Sequence, residues 1–598
     1  MAKRHNNHET NNTEAAHLLT EIADFLKIKG VAFKPQAYER AAEAIGQLAE
    51  PIADVYAREG AKGLNAIPGV GTSIAEKLEE LITTGRMQYH EELKGELPVE
   101  IEALTLVDGV GVKSVDALYR ELGIRTVADL EKAAKARKIR ALPGFGAKKE
   151  EKILKSIAFH KSRGNRFLLH EASAWANVVA GRIAAFPGVK QVAIAGSIRR
   201  GKETIGDADI LVLAGDGADV GERVTKLHET AHVYGTGETK TMVRLQNGMD
   251  LDVRIVDEAA WGAALNYFTG SKEHNVHLRR IAQEKGLTLN EYGLAKAAKK
   301  GTGKGGNRVA GSNEEELYRA LGLAYIDPEL REDQGEVDEA RAAFDAGRSM
   351  PKLITLSDLR GDLQTQSDWT DGKHSIEALA KEAKARGLQY IAITDHSKRL
   401  AMVHGLDAAR LREQLVEVDR INKRLSGFTV LKGIECDILK DGSLDLPDDV
   451  LAELDVVGVS AHSFFNLSRE EQTERIIRAV QHPLVHVLFH PTGRIVGKRE
   501  PYDVDLEAVA KVAAKAKTAL EVNGCERLDL NGEHVRMALG YGVKLTISSD
   551  AHATSHFDFL EFGVAQARRG GAAAHDVLNT LPLEALRREF SRRPSRHR

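Results

Sequence analysis

Residues 14–90 read as helices: the stretch from Phe33 to Ala42 opens one, and Ile67-Pro68-Gly69-Val70-Gly71 closes a helical hairpin. The same pattern, an apolar residue, Pro or Asp, then Gly-x-Gly, returns at Val107-Asp108-Gly109-Val110-Gly111 and at Leu142-Pro143-Gly144-Phe145-Gly146. This internal repeat predicts a series of helix-hairpin-helix units. The glycines permit a tight turn, and the N–H groups opening the next helix then point outward, where they can hold a phosphate. One such turn is commonplace between helices. Three copies imply sequence-independent contact with a DNA backbone through Gly69, Gly71, Gly109, Gly111, Gly144 and Gly146. Further on, Val192–Ala195 reads as a strand, and Ala295–Ser312, rich in Gly and Lys, as a mobile loop. From Leu353 onward strands alternate with helices, which predicts a β/α barrel.

The strand ending at Ala195 runs into Gly196-Ser197-Ile198-Arg199-Arg200, and the next apolar run opens with Asp207-Ala208-Asp209. Residues i and i+2 of a strand share a face, so Asp207 and Asp209 present paired carboxylates. Like charges so close call for a cation, and the Gly-Ser turn with Arg199 and Arg200 suits a polyphosphate. Together these parts are those of a metal-dependent nucleotidyl transferase. A third carboxylate is needed from a neighbouring strand. Asp250 and Asp252 share one face of the next candidate, and spacing alone does not choose between them.

Composition narrows the class. The chain has 598 residues, 42% apolar and 29% charged, which implies a soluble protein of three or more domains. A net charge of −3 argues against a uniformly basic nucleic-acid binder, yet residues 131–166 carry twelve Lys/Arg against three Asp/Glu. The two cysteines, Cys436 and Cys525, exclude a disulfide framework and point to a reducing, cytoplasmic setting. No apolar run approaches the roughly 18 residues of a membrane span.

In the barrel half each strand ends in a candidate ligand. Tyr390–Thr394 runs into Asp395-His396, Val430–Ile434 into Glu435, Val456–Ser460 into Ala461-His462, Val485–Phe489 into His490, and Lys544–Ile547 into Ser548-Ser549-Asp550-Ala551-His552. Barrels place their chemistry at these ends, and so many ligands converging on one mouth imply metal.

The motifs Gly196-Ser197…Gly206-Asp207-Ala208-Asp209, Asp252-Val253-Arg254, Tyr267-Phe268-Thr269-Gly270-Ser271…Asn275…Arg279 and Leu289-Asn290-Glu291-Tyr292-Gly293-Leu294 closely resemble the family X DNA polymerases, the group of DNA polymerase beta. The resemblance covers roughly residues 1–330. It favours Asp252, in the order Asp, apolar, Arg, as the third carboxylate. It implies that Asp207, Asp209 and Asp252 hold two Mg²⁺ or Mn²⁺ ions. Ser197, Arg200 and Gly206 would then hold the β/γ-phosphates of a dNTP, Tyr267, Phe268 and Gly270 the sugar pocket, and Asn275 and Arg279 the minor-groove side of the nascent pair. It makes Lys77 a candidate Schiff-base lyase lysine, and a monovalent cation is a common guest of such hairpin turns.

The second half resembles the polymerase-and-histidinol-phosphatase (PHP) domain, a trinuclear metal phosphoesterase fold often fused behind bacterial family X polymerases. That family opens with Asp-x-His-x-His, where this chain has Asp362-Leu363-Gln364-Thr365-Gln366. Gln is a poor Zn²⁺ or Mn²⁺ ligand beside imidazole. The resemblance therefore implies one metal on Asp371, His396 and His552, another on Glu435, His462 and His490, and a depleted third position keeping Glu435 and Asp550.

The expected chain is thus a multidomain α/β protein. A tail (1–13) precedes a helical 8-kDa-like lyase-type domain (14–95), helix-hairpin-helix fingers (96–169), a nucleotidyltransferase palm of mixed sheet and helices (170–258), a nucleotide-selecting thumb (259–330), a linker (331–352) and a distorted, TIM-like metal barrel (353–598). It is expected to be a monomeric, cytoplasmic, nucleoid-associated bacterial polymerase that fills short gaps in gapped or nicked DNA, with no membrane partner. A Mn²⁺-dependent 3′–5′ exonuclease or AP-endonuclease activity is expected of the barrel. The rival readings are a nuclease served by a vestigial polymerase half, and a barrel that is a non-catalytic module.

Overall fold

The computed structural model describes residues 12–591 except 32, 47, 49–50, 106, 108, 164–165, 216–217 and 298–306. The chain forms two compact units, 1–164 and 165–598. Most of the expected tail lies outside the described residues, and the first helix starts at Asn12. Residues 298–306 of the expected mobile loop also lie outside. Its flanks, Gly293–Lys296 and Arg308–Ala310, pair as antiparallel strands rather than loop.

The first unit is helical. Its three hairpin turns are built alike: Gly69, Gly109 and Gly144 all have positive φ, at 84°, 95° and 78°. A turn hydrogen bond closes each, from Val70 N to Ile67 O, Val110 N to Val107 O and Phe145 N to Leu142 O, at 2.9–3.1 Å. Gly71 and Gly111 then precede helices Thr72–Thr84 and Val112–Leu122, which carry no side-chain cap. Gly146 stands before Ala147–Arg163. A Cβ on Gly71, Gly111 or Gly146 would meet only open space, so these turns face outward. The two helical domains expected here share one continuous core, from Ala15 and Leu19 through Leu78 and Leu104 to Val115 and Ile153. The helices are short and amphipathic, and neither set alone encloses its apolar face.

The second unit opens with the pair Phe167–Leu168 and Thr204–Ile205, which takes Phe167 and Leu168 out of the helical region in which they were expected. A mixed five-stranded sheet follows, in the order Val189–Ile194, Asp207–Ala214, Asp250–Val256, Lys240–Leu245, Thr230–Thr236. Its central pair, Asp207–Ala214 with Asp250–Val256, is parallel. The stretch 331–352, expected to be a linker, is packed instead. Val337, Ala340 and Ala343 enter the thumb core with Leu278, Leu317 and Tyr318, and His274 Nδ1 meets Glu336 at 2.7 Å. Arg331 is wholly buried and pairs with Glu314, which also takes both Nη atoms of Arg199 at 3.0 and 2.7 Å. Burial opposes ionisation of Glu314, but Arg331 and Arg199 outweigh it and hold the carboxyl down at about 2. Removing one partner of such a cluster leaves a buried charge uncompensated. Glu314→Ala is therefore expected to destabilise the chain by about 3–5 kcal/mol in denaturant titrations. A loss below about 1 kcal/mol would contradict the cluster's structural role.

Seven parallel strands in chain order then form a nearly closed barrel: Gly361–Thr365, Tyr390–Ile393, Thr429–Asp437, Val456–Ser460, Val487–Leu488, Ala519–Asn523 and Leu545–Ser548. Thr365 pairs with Ala551, just past the last strand, and so brings the two ends together. The strands are buried on both faces, as the unbroken apolar runs foretell. Barrel and palm share apolar packing: Val496 and Leu528 lie in the palm core with Ile205 and Leu251, and Phe562 and Ala565 pack against it.

Candidate active site and metal centre

Parallel pairing sets Asp207 opposite Asp250 and Asp209 opposite Asp252. The strand before them turns at Gly196, whose φ is 61° and where a Cβ would lie 2.2 Å from Asp209 Oδ2. Only glycine lets the Gly-Ser turn rest on that carboxylate. The structure also separates Asp250 from Asp252. Asp250 receives Arg244 at 2.8 and 3.1 Å and the Tyr234 hydroxyl at 3.0 Å, so its charge is met. Asp252 Oδ2 meets Arg254 at 3.0 Å and Lys240 at 3.2 Å, while its Oδ1 is buried without a hydrogen-bond partner. Burial, then the charges of Asp207 and Asp252, push the Asp209 carboxyl up to about 7. A buried orphan oxygen in a cluster with excess negative charge fits a divalent cation. Since a proton competes for Asp209, affinity for a divalent cation is expected to fall with pH below about 7, by up to about tenfold per unit. Calorimetric titration at pH values about one unit either side checks this, and equal affinities would contradict it.

Arg199, read as a polyphosphate ligand, is not free for one, because Glu314 and the Thr269 hydroxyl hold its guanidinium. Arg200 donates from Nε to Glu332 at 3.1 Å and from Nη1 to the Thr269 carbonyl. Gly270 makes room for that contact, since a Cβ there would come within 3.0 Å of Arg200 Nη1. Arg200 thereby ties the Gly-Ser loop to the helix Trp261–Thr269 that carries Tyr267 and Phe268. The rings of Tyr267 and Phe268 meet edge to face at 5.1 Å, and Arg254 lies over Phe268 at 4.9 Å. Asn275 Nδ2 donates to Tyr267 O at 2.8 Å, Arg279 Nε to Asn275 O at 3.2 Å, and these residues line one small cleft. Gly206 lies beside the Arg166 guanidinium. In the other unit Lys77 is exposed on helix Thr72–Thr84, donating to Ser73 O and Oγ at 3.0 and 3.1 Å and lying over Tyr89 at 5.0 Å.

At the barrel mouth the ligand atoms form two groups, Asp371 with His396 and His552, and His396 with Glu435 and His462. His490 also reaches Glu435, at 2.7 Å, and its Nδ1 is buried without a partner. His396 thus stands between the groups, with Nε2 3.4 Å from Asp371 and Nδ1 3.5 Å from Glu435. Burial opposes protonation of His552, but Asp371 and Asp550 outweigh it and push the pKa of the imidazole up to about 9. His490 and Asp550 both hold left-handed backbone, at φ 29° and 53°, the kind of strain a site retains when its side chains must converge.

At the depleted position Gln366 Nε2 donates to Glu435 at 2.9 Å. Asn523 Nδ2 reaches Gln364 Oε1 at 3.1 Å and Asp550 at 3.2 Å, and Arg527 Nε lies 3.5 Å from Asp550. Amide and guanidinium donors therefore meet the two carboxylates there. Sequence reasoning passed over Arg527, whereas Asp395, named with His396 at its strand end, has its carboxylate taken by hydrogen bonds. Asp395 accepts from Ser367 N at 2.8 Å and Thr370 Oγ1 at 2.5 Å, anchoring the loop that carries Asp371. Only the fold brings these groups together.

The DNA polymerase beta thumb family matches residues 264–332, the helix-hairpin-helix domain 10–87, the SAM-like helix-hairpin-helix tandem 101–158 and the PHP domain 362–524. The DNA polymerase/3'-5' exonuclease PolX of Bacillus subtilis (strain 168) is 35% identical over 571 residues, 95% of this chain and 97% of that protein. DNA polymerase lambda of Rattus norvegicus is 26% identical over 344 residues, 54% of this chain and 56% of its own length. A probable phosphatase of Thermoanaerobacter sp. (strain X514) is 30% identical over 232 residues, 36% of this chain and 90% of its own. The chain belongs to the family X DNA polymerases that carry a C-terminal PHP domain. No described helix is long and apolar enough to cross a membrane.

Proposed function

We infer that this chain is a DNA-directed DNA polymerase that extends a primer across short gaps in damaged DNA, with a phosphodiester hydrolase site in its barrel. The observation that carries the first activity is the set of carboxylates Asp207, Asp209 and Asp252, in register on two parallel strands beside the Gly196 turn. Those three would hold the divalent ions, for which we propose Mg²⁺ or Mn²⁺. The ions would supply positive charge against the ionising primer hydroxyl and the departing pyrophosphate. The primer 3′-oxygen forms a bond to the α-phosphorus as the bond to the bridging oxygen breaks, and Asp252 assists removal of the hydroxyl proton. Ser197, Arg200 and the Gly206 backbone hold the β/γ-phosphates, with Arg200 exchanging Glu332 for phosphate. Tyr267 and Phe268 line the sugar pocket and exclude a 2′-hydroxyl, while Asn275 and Arg279 face the minor groove. Lys77 remains the candidate lyase nucleophile. Primer extension and 3′-exonuclease assays on one preparation with gapped DNA test the assignment, and absence of extension with either metal would overturn it.

The hairpin turns and the basic 131–166 segment grip phosphates, not bases. For about four contacts, affinity should fall about a hundredfold between about 50 and 200 mM salt. It should vary little with sequence, and anisotropy titrations would expose a salt-insensitive or sequence-selective binder.

The two ligand groups at the barrel mouth favour hydrolysis as the second activity. We propose Zn²⁺ or Mn²⁺ there, about two ions rather than three. Asp371, His396, His552, Glu435, His462 and His490 would hold them, and they would polarise a phosphodiester and activate water.

A further inference from the structure

Helix Leu560–Arg569 belongs to the barrel, where it packs on strands Ala519–Asn523 and Leu545–Ser548. Its polar side chains reach out of the barrel to the palm loop that follows the Gly-Ser turn. Gln566, fully buried, donates from Nε2 to the Gly201 carbonyl at 2.8 Å. Arg569 Nη1 donates to the Arg200 carbonyl at 2.7 Å and to Glu332 at 3.1 Å. Gly201 has φ 62°, and a Cβ there would come within 3.1 Å of Ala565 Cβ, so loop and helix are in close contact. Two successive carbonyls of a polymerase loop are thus satisfied by side chains whose own positions the barrel sets.

Glu332 links this contact to the chemistry. Its carboxylate is shared by Arg200 at 3.1 Å, Arg569 at 3.1 Å and Lys202 at 3.6 Å. To take a phosphate, Arg200 must leave Glu332. A largely buried carboxylate resists losing a cation unless another remains beside it. Arg569, closer to Glu332 than Lys202, is that second cation, and its bond to the Arg200 carbonyl holds the backbone from which Arg200 must reach. Without Arg569 the loop loses an anchor and Glu332 grips Arg200 more tightly. Both changes weaken triphosphate binding.

We propose that Arg569, supported by Gln566, is a positioning residue of the nucleotidyl-transfer site, so that the barrel sets the dNTP affinity of the polymerase. This rests on the reading of Arg200 as a triphosphate ligand. The test is steady-state extension of a gapped substrate by the full chain at saturating DNA, with dNTP varied. Arg569→Ala should raise KM for dNTP about tenfold while kcat falls less than about threefold, the pattern of lost substrate binding. Arg569→Lys keeps a cation for Glu332 but not the planar fork, and should lie between. Adding Glu332→Gln to Arg569→Ala removes the competing carboxylate and should bring KM back towards the parent value. A merely structural role would lower kcat and leave the defect uncorrected by Glu332→Gln. The proposal fails if Arg200→Ala raises KM while Arg569→Ala does not, or if Glu332→Gln gives no recovery. If Arg200→Ala itself leaves KM unchanged, the phosphate-loop reading fails and takes this inference with it.

Discussion

Asp252→Ala is expected to lower primer extension by at least about a thousandfold while DNA affinity stays within about threefold. Asp252 has a buried oxygen with no hydrogen-bond partner and acts electrostatically on Asp209, so its loss removes one of three charges that fit a divalent cation. The hairpin turns proposed to grip DNA belong to the other unit, which is why binding should survive. Asp250→Ala is the informative control. That carboxylate is already met by Arg244 and Tyr234, so its loss should cost less than about tenfold. Extension rates on a gapped primer, with anisotropy for binding, read both effects. Undiminished extension by Asp252→Ala, or a larger loss in Asp250→Ala, would reverse the assignment.

His462→Ala should abolish Mn²⁺-dependent 3′-hydrolysis and leave extension unchanged, because its partners Glu435, His396, Asp437 and Ser460 all belong to the barrel. The parent chain should retain about two tightly held ions in the barrel after dialysis, by ligand count. The third position has Gln364 and Gln366 in place of histidines, and its carboxylates are met by Gln366, Asn523 and Arg527. Gln364→His with Gln366→His should raise metal content and any hydrolysis rate, since imidazole binds where an amide does not. Three tight ions in the unsubstituted barrel by elemental analysis would refute the ligand-loss argument. Absence of hydrolysis from both forms on single-stranded, gapped and abasic DNA would make the barrel a non-catalytic module.

Local pattern carried much of this. The repeated Gly-x-Gly turns, the Asp-x-Asp strand start and the ligands at successive strand ends are all short-range features, and each has a backbone reason that needs no distant partner. The limits of that reading are equally specific. Residues 331–352 looked like a charged linker because their burial depends on Glu314 and His274, residues remote in sequence. Arg199 and Arg200 looked equivalent, yet Glu314 claims one and Glu332 the other.

By itself the amino-acid order determined the repeated helical hairpins, the barrel with its ligand-bearing strand ends, and the pair of aspartates at one strand start, because a period of two and a glycine's backbone freedom are properties of a few neighbouring residues. Tertiary structure alone decided which of Asp250 and Asp252 keeps an unsatisfied oxygen. It also decided that His396 stands between two ligand groups and that a barrel helix holds the palm loop after the Gly-Ser turn. Each of those depends on which charge finds which partner across tens to hundreds of residues, and burial makes that choice energetically decisive.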